Sequence, residues 1–337
     1  MKILLSADPF IPVPPLLYGG IERIIGMLID QYTAAGHEVT LIAHPESRPA
    51  CRLVPYRDEQ DRVLRNMLLL SRTAVSGKYD VLHSFSRLAY LSPLLPLSLP
   101  KIMSYQREPS IGQIRKAMKL ASKGSLAFTG CSDYISSQIS PYAPAYTVYN
   151  GVPVDQYRLT TDLPADAPLV FLGRIEAIKG THLAIGIAKR TKRKLIIAGN
   201  IPAHETAYFE EQVKPHIDQE QIVYVGPVND IQKNELLGSA AAFLMPILWN
   251  EPFGIVMAEA MACGTPVIGM KRGSVPEVVE HGVTGFVCDT EEEMTEAVGM
   301  IPSISRERVR AAAVERFSAA KIAGDYLELY KERMLRR

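Results

Sequence analysis

At 337 residues the chain is too long for one comfortable core and long enough for two domains. A hydrophobic fraction of 47% beside 22% charged residues describes an ordinary soluble globular protein, and no segment reaches the ~20 apolar residues of a membrane span. A net charge of +1 supplies no global field for nucleic acid, and Cys51, Cys131, Cys263 and Cys288, scattered and without C-x-x-C spacing, read as buried free thiols of a reducing compartment.

Short apolar runs alternate with helical patterns from end to end, which predicts an α/β chain built on parallel sheets. In the first half the runs at 2–6, 38–43, 81–84, 101–104, 126–129 and 147–149 predict strands, and an amphipathic helix over 21–35 closes at Gly36. The run at 2–6 reads as a first buried strand and not a leader, because Asp8 and the prolines after it stop it early. In the second half strands are predicted at 169–172, 194–198, 222–225, 242–245 and 266–270. Residues 150–155 and the Pro- and Asp-containing stretch 162–168 separate two Rossmann-like halves. Thr290 to Glu293 resembles a charge cluster but is explained as a helix start, with Thr290 as N-cap and Glu293 three residues on. A helix with a basic end follows at 322–335.

One segment carries chemistry that the rest does not. In Glu251-Pro252-Phe253-Gly254-Ile255-Val256-Met257-Ala258-Glu259, two carboxylates stand eight positions apart, the first in a strand-to-helix loop and the second inside the helix. Free N–H groups near Gly254 and Ile255 are placed to meet an anionic oxygen. A sugar, a pyrophosphate and a ribose diol present that sequence of groups. Upstream, Gly173-Arg174-Ile175-Glu176-Ala177-Ile178-Lys179-Gly180 puts two cations in the loop after a strand, where a diphosphate gains charge as a glycosidic bond breaks. These motifs, with Ala262-Cys263-Gly264-Thr265-Pro266-Val267 and Pro276-Glu277-Val278-Val279 after them, resemble the E-x7-E signature of retaining, GT-B-fold glycosyltransferases, in particular family 4.

The resemblance covers nearly the whole chain and is strongest over 170–290. It implies a GT-B fold, two Rossmann-like domains facing across a cleft: 1–152 on the acceptor side, 153–318 for the nucleotide sugar, and 319–337 a helix returning to the first domain. It implies transfer of a hexosyl unit from a nucleoside diphosphate sugar, with a UDP-sugar expected, to an acceptor hydroxyl with retention. Retention without an enzymic nucleophile is assigned in that family to front-face attack. Glu251 would then hold sugar hydroxyls, Glu259 the ribose diol, and Arg174 with Lys179 the diphosphate.

Other residues enter by the same route. Tyr18-Gly19-Gly20 opens the first helix, where Gly19 and Gly20 permit close approach of phosphate. Asp80-Val81-Leu82-His83 ends a strand on a histidine that the resemblance places in the catalytic set, although Phe85 stands where many members carry a second histidine. The loop Val225-Gly226-Pro227-Val228 would line the base pocket through its backbone, with Val228, Phe253, Gly254 and Ile255 among the substrate contacts. Residues 104–110, with Arg107 and Glu108, would face the acceptor. No D-x-D, G-x-G-x-x-G or Walker A pattern follows a strand, so transfer without a metal or other cofactor is expected. The rival readings are a GT-B epimerase or phosphorylase-like enzyme and a non-catalytic sugar-nucleotide scaffold, which donor turnover separates. A cytoplasmic enzyme is expected, with no nucleic acid partner. Membrane contact is at most peripheral, through a basic face at Arg115, Lys116, Lys119 and Lys123.

Overall fold

The computed structural model describes residues 1–15, 19–57 and 62–335. It divides into one unit of Met1–Gly151 with Ala319–Arg337 and a second of Val152–Ser318. In the first unit, seven strands form one sheet: β1 (Lys2–Ser6), β2 (Glu38–Ala43), β3 (Arg52–Pro55), β4 (Val81–Ser84), β5 (Lys101–Tyr105), β6 (Leu126–Gly130) and β7 (Ala145–Thr147). Their order is β3-β2-β1-β4-β5-β6-β7 and every pairing is parallel. Strands covered on both faces need no alternation of polar and apolar residues, hence the nearly unbroken apolar runs in the sequence. Around them lie α1 (Gly20–Ala34), α2 (Val63–Gly77), α3 (Ile111–Leu120) and α4 (Asp133–Ile139). Helix α3 turns Ile114 and Ala117 inward and leaves its basic residues outside.

The second unit repeats the plan with six strands: β8 (Leu169–Leu172), β9 (Leu195–Ala198), β10 (Ile222–Gly226), β11 (Ala242–Met245), β12 (Val267–Met270) and β13 (Gly285–Cys288). They run parallel in the order β10-β9-β8-β11-β12-β13. Its helices are α5 (Thr181–Thr191), α6 (Thr206–Tyr208), α7 (Asp230–Gly238), α8 (Ile255–Ala262), α9 (Val275–Val278), α10 (Glu291–Met300) and α11 (Arg306–Phe317). The sheet order reverses between β8 and β11. In open parallel sheets the loops leaving such a reversal diverge and form a crevice at the carboxyl ends of the strands.

Several predicted boundaries moved by a residue or more, and two strands were not anticipated. Strand β7 covers 145–147 instead of 147–149. Strands β3 and β13 close one edge of each sheet, and β3 opens on an arginine and ends on a proline, which suits an edge and hides it in the sequence. Thr290 caps α10, its hydroxyl accepting from the Glu293 N–H, while the Glu293 carboxylate reaches back one residue further, to the Asp289 N–H at 2.7 Å.

Helix α8 is packed on all sides, from Met257 to Ala262, so the carbonyls at its C-terminal end need donors. Two arginines of α11 provide them. Arg310 donates to Ala262 O and Arg306 to Cys263 O at 3.4 Å; Arg306 also ties in Gly238 O at 2.9 Å, Ala240 O at 2.8 Å and Thr265 Oγ1 at 2.8 Å, and Arg310 Val154 O. Burial lowers the Arg306 guanidinium to about 10. No helix among the described residues is long and apolar enough to cross a membrane.

The last helix, α12 (Ala319–Leu335), belongs to the first unit and closes a buried polar cluster there. His83 lies in it with no solvent exposure. Its Nδ1 meets the Tyr330 hydroxyl at 2.5 Å and its Nε2 the Ser104 hydroxyl at 2.6 Å. Tyr32 joins Tyr330 at 3.0 Å, and Tyr326 and Phe85 flank the imidazole. Burial lowers the His83 pKa to about 3, so the ring is neutral. The unfolded chain takes up a proton below about pH 6.5 that the folded one refuses, so this contribution to stability is full above that pH and is lost as pH falls toward 3. His83→Gln is therefore expected to cost most at pH 7.5. The gap to wild type should shrink at lower pH, by at most ~1.4 kcal/mol per unit. Urea unfolding at pH 7.5 and 5 measures it, and a pH-independent gap would contradict a suppressed protonation.

Candidate active site

The reversal between β8 and β11 sends out the two loops that hold the predicted cations and the first glutamate. After β8 the chain passes Gly173 and Arg174, makes a short turn at Ala177–Lys179 and enters α5 through Gly180. Gly180 has φ 73°, and a Cβ there would stand 1.9 Å from the Pro246 carbonyl oxygen, so only glycine lets this loop lie against the end of β11. The contact is sealed by the Leu248 N–H donating to Ile178 O at 2.8 Å. On the far side, Gly273 has φ 55° and no room for a Cβ, which would meet the Glu251 carbonyl oxygen at 2.3 Å; the Ser274 N–H donates to that oxygen at 2.9 Å. The Glu251 backbone is thus clamped from both neighbouring loops.

That clamp joins Lys179 to Glu251. The Lys179 ammonium donates to Glu251 Oε2 at 2.6 Å, and the Trp249 indole N–H donates to the same oxygen at 3.0 Å. The ammonium also lies over the Trp249 ring, 4.8 Å from its centroid. Glu251 is only 8% exposed. Its second oxygen, Oε1, has no protein donor among the described residues.

Glu259 is built the same way on the helix that follows. The Lys233 ammonium donates to its Oε1 at 2.5 Å and the Tyr157 hydroxyl to the same atom at 2.8 Å, leaving Oε2 without a protein donor among the described residues. Lys233 lies 5.7 Å from the Tyr157 ring centroid and also pairs with Asp230 at 3.1 Å. Burial, then the adjacent Glu259 charge, pushes the Tyr157 phenol far above its ordinary range, so it acts only as a donor here. Asn229 sets the start of α7, and with it Lys233, through a capping box with Gln232.

Arg174 stands apart from this pairing. Its guanidinium contacts Glu176 Oε1 at 2.7 Å, a carboxylate only 3% exposed whose Oε2 has no hydrogen-bond partner among the described residues. Gly254 begins α8 with φ 72° and no side chain caps that helix, so the first N–H groups, at Ile255 and Val256, are not met by a side-chain cap. Phe253, expected among the substrate contacts, is 2% exposed and packs edge to face on Phe317 at 5.6 Å. Val228 lies half-buried in the loop between β10 and α7.

In the first unit, Gly19 (φ 149°) precedes α1 and Gly20 begins it. A Cβ on Gly19 would meet Pro15 Cβ at 2.8 Å and Glu22 Oε2 at 2.9 Å, so the Glu22 carboxylate already lies at this helix end. Burial raises the Glu22 carboxyl. Tyr18 lies outside the described residues. His83 does not present its ring to solvent; both nitrogens are engaged by Tyr330 and Ser104, which corrects the placement expected of a catalytic group. Arg107 is exposed and stands 3.7 Å from Asp8, and Tyr134 donates to Glu108.

Sequence reasoning missed Lys233, Tyr157 and Trp249. Trp249, the single tryptophan, stands two positions before Glu251 and was within reach of motif reading. Lys233 and Tyr157 reach Glu259 from distant positions with no local signal. Among the described residues no cluster of three His, Cys, Asp or Glu side chains is arranged to hold a metal ion, and the four cysteines are free.

Known proteins resemble this chain in sequence and fold. Residues 163–319 match the family described as Glycosyl transferases group 1, and residues 18–156 the family described as Glycosyltransferase Family 4. The putative glycosyltransferase YtcC of Bacillus subtilis (strain 168) is 31% identical over 336 residues, covering 86% of this chain and 80% of that protein. Several other curated relatives are matched over less than half their length. The structure of AviGT4, a glycosyltransferase involved in avilamycin A biosynthesis, aligns with a TM-score of 0.77 and 26% identity over 99% of this chain and 98% of that one. Anabaena Alr3699/HepE, solved with UDP and glucose, aligns with a TM-score of 0.73 and 20% identity over 98% and 100%, a likeness of fold alone. Two family matches that fall one on each half, a relative similar over most of its length and a shared two-sheet fold have one reading: the chain belongs to the GT-B glycosyltransferases of family 4.

Proposed function

We propose that this glycosyltransferase moves a hexosyl unit from a nucleoside diphosphate sugar to an acceptor hydroxyl, with retention and without a metal ion. The observation that carries the reading is the pair of carboxylates, Glu251 and Glu259, each held on one oxygen by an ammonium and an aromatic donor and open on the other. An open, ionised oxygen in a half-dry setting suits a diol or a sugar hydroxyl, which donates to it. Glu251 receives the donor sugar and Glu259 the ribose. Lys179, Arg174 and the uncapped start of α8 at Gly254 and Ile255 take the diphosphate, whose charge grows as the bond to the sugar breaks. The leaving phosphate then accepts the acceptor's proton on the face it has just left, which gives retention with no enzymic nucleophile.

The base-side loop at Val228 completes the donor contacts of the second unit in this reading. HepE holds UDP on the same fold, which makes UDP the first base to try. A thermal-shift panel of nucleotide sugars, followed by turnover and the anomeric configuration of the product, tests the proposal, because a bound donor stabilises the native state by mass action. Binding without turnover under any acceptor would favour a scaffold.

Lys179→Ala and Arg174→Ala are each expected to lower turnover tenfold or more, at about 1.4 kcal/mol per decade. Arg174→Ala should also lower the melting temperature, because buried Glu176 loses its cation. Full activity in either variant would remove the diphosphate clamp. Glu259→Ala should chiefly weaken nucleoside diphosphate binding, since the ribose is common to donor and product, whereas Glu251→Ala should reduce transfer and spare that binding. Calorimetry showing equal losses for both would refute the division. Activity should persist in excess EDTA; loss that a divalent ion restores would show that a metal shares the diphosphate with Arg174 and Lys179.

A further inference from the structure

We propose that Trp249 is a positioning residue of the transfer reaction: its indole N–H keeps the Glu251 carboxylate in place when the donor diphosphate draws on Lys179. The role rests on the donor reading given above.

Three facts of geometry lead to it. Glu251 Oε2 receives two donors, the Lys179 ammonium at 2.6 Å and the Trp249 indole N–H at 3.0 Å. The same ammonium lies 4.8 Å from the centroid of the Trp249 ring, so one side chain touches both members of the ion pair. The backbone of Glu251 is fixed through Gly273 and the Ser274 N–H, so only its side-chain torsions remain to be held.

The two donors differ in what a diphosphate does to them. An ammonium is a point charge with three rotatable donors on a flexible stem. A ligand carrying two or three negative charges competes for it with the single charge of Glu251, and each contact it gains weakens the pair. An indole N–H is a neutral donor that does not titrate and has no attraction to a distant phosphate. Its ring stabilises the cation wherever the ammonium moves across its face. Trp249 therefore retains the carboxylate in the one state where Lys179 is shared, and Oε1 stays aimed at the sugar. Glu259 also has a neutral aromatic donor, Tyr157, but its ammonium, Lys233, is not among the diphosphate ligands in this reading.

The test separates this role from packing and from the donor reading itself. Trp249→Phe keeps a ring under Lys179 and removes the N–H. Turnover is expected to fall roughly tenfold, with the Kd for UDP within about twofold of wild type. Trp249→His restores a ring N–H and should recover part of the loss. Because the chain has one tryptophan, its 15N-labelled protein gives one indole N–H resonance. In wild type saturated with UDP that proton should exchange slowly with solvent, and in Glu251→Ala it should exchange fast. Unchanged turnover in Trp249→Phe, or an indole proton that exchanges in the UDP complex as it does in Glu251→Ala, would overturn the proposal. The exchange measurement uses wild type and decides the matter even if Trp249→Phe folds poorly. A wild type that binds no nucleoside diphosphate and turns over no donor would overturn the donor reading, and this role with it.

Discussion

The site of the second unit depends on a carboxylate that is only half satisfied, built twice. Taking a charged carboxylate most of the way out of water costs several kcal/mol unless other charges and donors offset it. Glu251 and Glu259 are each offset on a single oxygen, by a lysine and an aromatic donor together. The partial offset compensates the burial of both groups without filling their remaining lone pairs. A fully satisfied carboxylate would be a structural ion pair and nothing more. One with no internal partner would be driven to protonate or to swing into solvent.

Holding such groups requires that loops approach more closely than most side chains allow. Gly180 lets the loop after β8 rest on the carbonyl at the end of β11, and Gly273 lets the loop after β12 rest on the backbone of Glu251. The first contact sits at the point where the sheet order reverses and the second on the next pair of neighbouring strands, so the topology brings the loops near one another and the glycines remove the last obstruction. Behind them α8 is buried from Met257 to Ala262, with the carbonyls of Ala262 and Cys263 at its end taken up by Arg310 and Arg306. The start of the helix carries no comparable side-chain cap. One end is closed by protein and the other is open to a ligand.

Much of this was legible in the sequence because parallel strands covered on both faces write themselves as apolar runs. The two unanticipated strands, β3 and β13, are four-residue edges: β3 is half-exposed and ends on a proline, and β13 opens on a glycine, which shortens the apolar run. Lys179 and Glu251 were recognisable because chemistry and spacing agree over a contiguous loop. Lys233 and Tyr157 were not, since their meeting with Glu259 is set by how α7 and the segment after Val152 pack, which no local pattern encodes. His83 shows the opposite failure. A polar residue at the carboxyl end of a strand reads as a ligand contact, yet α12 arrives from far along the chain and covers it with Tyr326 and Tyr330.

That late arrival has a consequence for biosynthesis. On the ribosome the first 151 residues emerge long before Ala319–Leu335, and the whole second unit is made in between. At roughly 5–20 residues per second the delay is on the order of ten seconds or more. During it the seven-stranded sheet can pair but cannot close over His83 and Tyr32, whose partners have not been translated. The second unit, continuous in sequence, has no such wait. The nascent chain is therefore expected to carry a finished second unit beside an unfinished first one. An uncovered apolar face on the latter is the natural handle for a chaperone until the last helix is released.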